Sequence, residues 1–281
     1  MQTARVGERV PDFELECITS DGQQSTIDAA QLQGSWTVLW FYPRDFTFIC
    51  PTEIIAFSSR IEDFRERNCR VLGISIDDLQ THARWFETTI ADGGVGPLRY
   101  PLAADTDGAV MRRFGVWSER SALAHRALFL IDPDGVIQFS LVHGPKVGRN
   151  VDEVLRVLDA LNSGGLCPAS WTAADGTLNV EELLKPGRTL GHFRIERELG
   201  SGSFGSVVEA NDLRLQRQVA LKILRKNRGS MTRNQMLNEA RGAAVVSHPN
   251  VCTVFSVDEI DGLPVIVMEL LDGRPLSELL G

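Results

Sequence analysis

The sequence predicts an α/β domain with a mixed sheet, followed by a smaller α+β unit rich in short strands. Three observations carry this. Up to residue 161, short apolar runs alternate with amphipathic stretches of helical period. Residues 163–191 then collect Gly164, Gly165, Pro168, Gly176, Pro186 and Gly187. Beyond them, short apolar runs follow one another with turns between and a single long helical stretch. Charge changes at the same place. Residues 1–190 hold 18 Lys and Arg against 26 Asp and Glu, so they carry the whole net −8, whereas residues 191–281 hold 11 of each and are neutral. The predicted organisation is a first domain over 1–180, a linker over 181–191 and a second domain over 192–281.

Taken in order, "TVLWFY" (37–42) and "RVLGISI" (70–76) predict buried strands. Between them, "EIIAFSSRIEDFRER" (53–67) places Ile54, Phe57, Ile61 and Phe64 on one face of a helix. "ALFLID" and "VIQFSLV" flank the turn "PDG" (133–135), which predicts a hairpin. "VDEVLRVLDAL" (151–161) predicts a second amphipathic helix. In the second domain "FRIERELG", "SVVEAND", "QVALKIL" and "PVIVMEL" predict strands, and "NQMLNEARGAAVVS" (234–247) a helix.

Several function classes are disfavoured by composition. Neither part has the basic excess of a nucleic-acid footprint. No apolar run approaches the roughly 18–20 residues of a membrane span. "MQTARVGERVPDF" has no apolar core of a secretory signal, so a cytosolic chain is expected. Five cysteines, Cys17, Cys50, Cys69, Cys167 and Cys252, are too few and scattered for a disulfide scaffold. In a reducing compartment a disulfide among them would be transient and catalytic.

The chemistry-bearing stretch is "FYPRDFTFICPTE" (41–53). Pro51 suits a first helical turn, which puts Cys50 at or just before a helix N-terminus. Unpaired N–H groups and the positive end of the helix dipole there favour a thiolate over a thiol. Thr47 can offer a hydroxyl to the sulfur or to a bound oxygen, Pro43 can wall out water, and an arginine from elsewhere would stabilise developing negative charge. By itself this pattern also suits a buried, inert cysteine.

The stretch resembles the active-site segment of the typical two-cysteine peroxiredoxins, with Pro43, Thr47 and Cys50 on the family's Pro-x-x-x-Thr-x-x-Cys. "THARWF" (81–86), "YPLAAD" (100–105), "HRALFLIDPDGVI" (125–137), "VGRNVDEVLRVLDAL" (147–161) and "LCPASW" (166–171) resemble further family segments in family order. The resemblance implies a thioredoxin-like fold and a peroxidatic Cys50. Thr47 and Arg126 would hold the peroxide oxygens, and Glu53 with Arg149 would orient that arginine. It makes Cys167 the resolving cysteine, reaching Cys50 across a homodimer or a ring of dimers. Hydrogen peroxide and alkyl hydroperoxides would be substrates, thioredoxin or a flavoprotein disulfide reductase the donor, and no cofactor is needed. Cys17, Cys69 and Cys252 fall on no catalytic position. "GGVG" (93–96) resembles a loop of peroxiredoxins sensitive to over-oxidation, but no Tyr-Phe pair follows Cys167, so strong sensitivity is not expected.

In the second part "LGSGSFGSV" (199–207) reads G-x-G-x-x-G on Gly200, Gly202 and Gly205. Strand-like "VVEA" and "VALKIL" follow it, so it is a glycine-rich hairpin rather than a dinucleotide-binding strand-to-helix turn. With "SHPNV" (247–251) and "PVIVMELLDGRPLSELL" (264–280) it resembles the small lobe of bacterial serine/threonine kinases of eukaryotic type: a five-stranded antiparallel sheet plus one helix. The resemblance implies an ATP site with Leu199, Gly200, Gly202, Gly205 and Val207 around the glycine-rich turn. Lys222 would meet the phosphates and Glu239 would pair with it. Met268 would be the gatekeeper, with Glu269 and Leu271 lining adenine. The 281 residues contain no His-Arg-Asp loop and no Asp-Phe-Gly. This lobe alone is therefore not expected to transfer phosphate. It reads as a piece of a longer fusion or as a remnant. The leading expectation is a thiol peroxidase. The alternatives are a redox-sensing kinase fusion, in which peroxide state is reported to an ATP-binding lobe, and a chaperone-like oligomer.

Overall fold

The computed structural model describes residues 4–202, 205–224, 248 and 250–273. The chain divides into two compact units, residues 1–163 with 172–174, and residues 164–171 with 175–281.

In the first unit the strands are β1 (Glu14–Ile18), β2 (Gln24–Asp28), β3 (Trp36–Phe41), β4 (Cys69–Ser75), β5 (Leu102–Ala104), β8 (Arg126–Ile131) and β9 (Ile137–His143). A two-residue ribbon, β6 (Trp117–Ser118) with β7 (Leu123–Ala124), stands apart. The seven form one mixed sheet in the order β2-β1-β5-β4-β3-β8-β9. The pairs β3–β4 and β4–β5 are parallel and the others antiparallel. Because β3 is central, both its faces are buried, which is why it reads as an unbroken apolar run. Val38 and Trp40, with Tyr42 beyond the strand, join one core with Ile54, Phe57, Phe64, Trp85 and Leu158. Leu39 and Phe41 join the other with Leu32, Met111 and Phe129.

The helices of this unit are α1 (Cys50–Ser59), α2 (Ile61–Glu66), α3 (Leu79–Glu87), α4 (Ala109–Arg113) and α5 (Val151–Ser163). The single helix expected over 53–67 is two, broken at Arg60 (φ −103°, ψ 15°). Ser59 Oγ donates to the Ala56 carbonyl, competing with the backbone ladder where the break falls. The guanidinium of Arg60 then bonds Asp63 and Asp152, and Arg67 grips Asp159 through Nε at 2.7 Å and Nη2 at 2.9 Å. The first turn of α5 is thereby tied to the α1–α2 corner. The predicted hairpin closes at Gly135 (φ 80°), with the Asp132 carboxylate accepting the N–H groups of Asp134 and Val136.

The second unit holds α6 (Val180–Leu183), β10 (Thr189–Leu190), β11 (Phe193–Gly202), β12 (Gly205–Asp212), β13 (Arg217–Leu224), β14 (Val254–Ile260) and β15 (Leu263–Met268). They form one antiparallel sheet in the order β10-β11-β12-β13-β15-β14. The expected five strands are present, and Thr189–Leu190 adds a sixth because Gly191 (φ 55°) folds it back onto Phe193 and Arg194. The helix expected over 234–247 lies outside the described residues. The division between units falls at residue 163 rather than 180, and the stretch read as a linker carries α6 and β10. The reason is packing: Leu166, Val180 and Leu184 cover the face of this sheet formed by Ile195, Val208, Leu221 and Val267. Among the described residues no helix is long and apolar enough to cross a membrane.

Candidate active site

Cys50 is the first residue of α1 and its side chain is fully buried. The chain reaches it from the end of β3 through a loop that includes buried Pro43 and exposed Phe48. Phe46 in this loop holds φ 50°, unusual for a bulky residue, and rests against the Trp85 ring at 5.7 Å. With Ile49 already helical and Pro51 in the first turn, α1 starts abruptly beneath the sulfur.

Arg126, the first residue of β8, reaches across from the sheet. Its Nη1 lies 3.3 Å from Cys50 Sγ and 2.6 Å from Glu53 Oε2, and its Nε donates to the Pro145 carbonyl at 3.0 Å. Glu53 sits one helical turn after Cys50 and is buried. Its other oxygen, Oε1, accepts from Arg149 twice, from the backbone N–H at 2.8 Å and from Nε at 2.7 Å. Nη1 of Arg149 donates to the carbonyls of Phe41 and Ala127, both at 2.7 Å, and its guanidinium lies 4.5 Å from the Trp40 ring centroid. Burial pulls the Arg149 guanidinium below its ordinary pKa, and the bond to Glu53 works against that. One carboxylate thus holds two buried arginines, and one of these points at the thiol.

Thr47 Oγ1 donates to the Arg44 carbonyl at 3.0 Å, which leaves its lone pairs as acceptors. Cys167 lies in the second unit, partly buried, with Sγ 3.8 Å from the Gly165 carbonyl. All five cysteines are unbridged. Burial pushes the Cys69 thiol up to about 12 and also raises Cys17 and Cys252.

A second buried network escaped the sequence reading. Asp45, two residues after Pro43, accepts from Tyr42 Oη at 2.8 Å and lies 2.7 Å from His82 Nδ1. Its backbone N–H donates to Asp77. Tyr42, His82 and the Asp45 carboxylate are all buried, and desolvation holds that carboxyl above its usual range, with His82 opposing. The available signal was helical spacing: His82 shares a face with Trp85, so a buried histidine needed a partner.

In the second unit, register brings some of the expected ATP residues together. Val207 pairs with Lys222, Lys222 with Ile266 and Ala220 with Met268, so all five share one face of the sheet. Leu199 and Leu271 are exposed. Glu269 lies just past β15 and donates its N–H to the Thr253 carbonyl at 2.8 Å. Gly202 pairs with Gly205 where the glycine-rich hairpin closes. At Gly205 (φ 142°) a Cβ would meet the Ile223 carbonyl oxygen at 2.0 Å, so strand packing alone requires glycine there; at Gly200 space is open. Glu239 lies outside the described residues.

A thiol held at a helix start by a braced arginine, on a thioredoxin-like sheet, defines a thiol-dependent oxidoreductase. Comparison with known proteins gives the family. Residues 6–140 match the AhpC/TSA family model and residues 193–281 the protein kinase domain model. Putative peroxiredoxin YkuU of Bacillus subtilis (strain 168) is 44% identical over 180 residues, 63% of this chain and 100% of that protein. Peroxiredoxin-2 of Macaca fascicularis is 43% identical over 185 residues, 64% of this chain and 93% of the relative. The reduced 2-Cys peroxiredoxin of Plasmodium vivax superposes with a TM-score of 0.61 at 35% identity, over 63% of this chain and 94% of that structure. The chain belongs to the peroxiredoxin family, as a thiol peroxidase fused to a kinase-like region.

Proposed function

We propose that the chain reduces hydrogen peroxide and alkyl hydroperoxides at Cys50 and recycles through an intersubunit disulfide. The Cys50 thiolate attacks one peroxide oxygen, the O–O bond breaks, and Cys50 becomes a sulfenic acid as alkoxide or hydroxide leaves. Arg126 donates to the oxygen that gains charge, while Thr47 Oγ1 accepts from the peroxide hydroxyl. Pro43 keeps water from the reacting atoms. The Cys167 thiol of the partner subunit then displaces the sulfenic oxygen as water, leaving a Cys50–Cys167 disulfide. A dithiol donor, thioredoxin or a flavoprotein disulfide reductase, returns both thiols. Such a cycle needs no further cofactor, a homodimer or ring of dimers, and a reducing compartment such as the cytosol.

The observation that carries this reading is Arg126 Nη1 at 3.3 Å from Cys50 Sγ, anchored on Glu53. The test is one equivalent of hydrogen peroxide on the reduced chain, followed by a non-reducing gel and mass spectrometry. A dimer linked Cys50–Cys167 is expected, and none from Cys50→Ser. A Cys50 that stays a thiol would overturn the reading. A second reading, that the kinase-like lobe binds ATP, is favoured by the face shared by Val207, Lys222 and Met268. Lys222 would meet the phosphates, with Glu239 beside it, and the fusion would then sense redox state.

A further inference from the structure

Both ends of the Arg126–Glu53 pair are held by one short stretch, residues 143–149. The Pro145 carbonyl accepts Arg126 Nε at 3.0 Å, and further along the Arg149 N–H donates to Glu53 Oε1 at 2.8 Å. The sequence explains the turn between them. Proline suits the second position of a tight turn, and Gly144-Pro145-Lys146-Val147 closes with the Val147 N–H on the Gly144 carbonyl at 3.3 Å. Gly148 then runs close to the site, where a Cβ would stand 3.5 Å from Glu53 Cγ. Gly144, Pro145, Lys146 and Val147 are all exposed, so hydrogen bonds rather than core packing set where the Pro145 carbonyl stands. One of those bonds comes from a side chain. His143 ends β9 directly opposite Arg126 in the antiparallel pair, which makes the two side chains neighbours on one face of the sheet. Its Nδ1 lies 3.3 Å from the Val147 carbonyl. A carbonyl only accepts, so Nδ1 carries the hydrogen, as it can in the neutral ring and does in the charged one.

We propose that His143 is a positioning residue for peroxide reduction. Its ring ties down the 144–147 turn, the turn presents the Pro145 carbonyl, and that carbonyl fixes the guanidinium beside Cys50. The proposal rests on the peroxidase reading above. Arg126 Nη1 is shared between Glu53 Oε2 and the sulfur. A guanidinium is a rigid plane, so a second anchor at Nε stops it from swinging about that one shared nitrogen. If the turn moves, the second anchor moves with it. Nη1 then spends less time aligned with the oxygen that gains charge, and misalignment at a reacting centre is expensive. The His143 ring acts through Arg126 rather than on the reacting atoms.

The test is the rate of Cys50 oxidation by hydrogen peroxide in the full reduced chain, with urea midpoints taken on the same proteins. His143→Ala should slow oxidation about 3–10-fold, the worth of one ordinary hydrogen bond. His143→Asn, whose amide N–H can stand where the Nδ1–H stood, should restore the rate. In an Arg126→Lys background there is no Nε left to hold, so His143→Ala should add no further loss. A rate loss that persists in the Asn variant, or that adds in full to Arg126→Lys, would overturn the positioning role and leave the peroxidase reading standing. So would a His143→Ala chain as fast as the parent, or one whose rate falls only in step with its urea midpoint. A parent chain whose Cys50 stays a thiol would remove both readings.

Discussion

Arg126 and Glu53 meet at 2.6 Å through the same Nη1 nitrogen that lies 3.3 Å from Cys50 Sγ. The carboxylate therefore sets where the positive charge stands beside the thiol. Replacing Arg126 by Lys keeps a charge but loses the fork that spans Pro145, Glu53 and the sulfur. Arg126→Lys should slow Cys50 oxidation roughly 100-fold, the cost of losing one aligned donor, measured by competition for hydrogen peroxide against a standard peroxidase.

Glu53→Gln leaves shape intact and strips the charge that offsets two buried arginines. Breaking a buried pair from one side costs about 3–5 kcal/mol. Urea unfolding of Glu53→Gln should show a loss of that order together with slower Cys50 oxidation. A variant as stable as the parent would mean that Phe41, Ala127 and Pro145 carbonyls suffice to hold the arginines.

The Asp45 carboxyl, raised by burial, gives a signed pH effect. Above the ordinary carboxylate value of about 3.9 the unfolded chain has released this proton while the folded chain still holds it. Stability from this group is therefore lost as pH rises from about 4 through the folded value. Asn at 45 does not titrate. Urea midpoints followed from about pH 4 upward should fall more steeply in the parent than in Asp45→Asn, and equal slopes would contradict the assignment. Asp105, also raised by burial, is common to both chains and cancels.

Cysteine labelling should separate the thiols. At pH 8 a thiol of pKa near 12 is ionised in about one part in 10,000. In a Cys50→Ser background, N-ethylmaleimide should modify Cys167 in the folded chain and leave Cys69 unmodified until denaturant is added, as read by peptide mass.

If the second unit binds nucleotide, ATP should raise its melting temperature in the parent and not in Lys222→Ala. No shift with either chain would exclude the ATP reading while leaving the peroxidase untouched.

Much of this was legible in the sequence where one residue's neighbours settle its state. β3 was readable because both faces are buried, and the start of α1 because Pro51 suits a first helical turn. The hairpin β1–β2 was not found, since Gln24, Ser25 and Thr26 are exposed and carry no apolar alternation. The break at Arg60 was hidden because Ile54, Phe57, Ile61 and Phe64 keep helical phase across it. Cys50 stood out from its place before Pro51 at a helix start, Glu53, Arg126 and Arg149 were named from family resemblance, and the structure brings those four together. Asp45 and His82 stand 37 residues apart in chain, and no local pattern announces their pairing. Gly205 looked like a phosphate glycine, yet its requirement comes from the Ile223 carbonyl beside it.

The trio of Arg126, Glu53 and Arg149 also fixes an electrical ledger around the sulfur. With Cys50 as thiolate, two cations face two anions and the buried cluster is neutral. Once the sulfur carries an oxygen and a proton, or is joined to another sulfur, the same cluster is left with one positive charge and no counterion. Charge left unbalanced away from water is costly. The oxidised protein is thus pressed toward admitting solvent at the start of α1, where the buried sulfur must emerge. The arrangement that makes the reduced site attract peroxide makes the spent site push itself open.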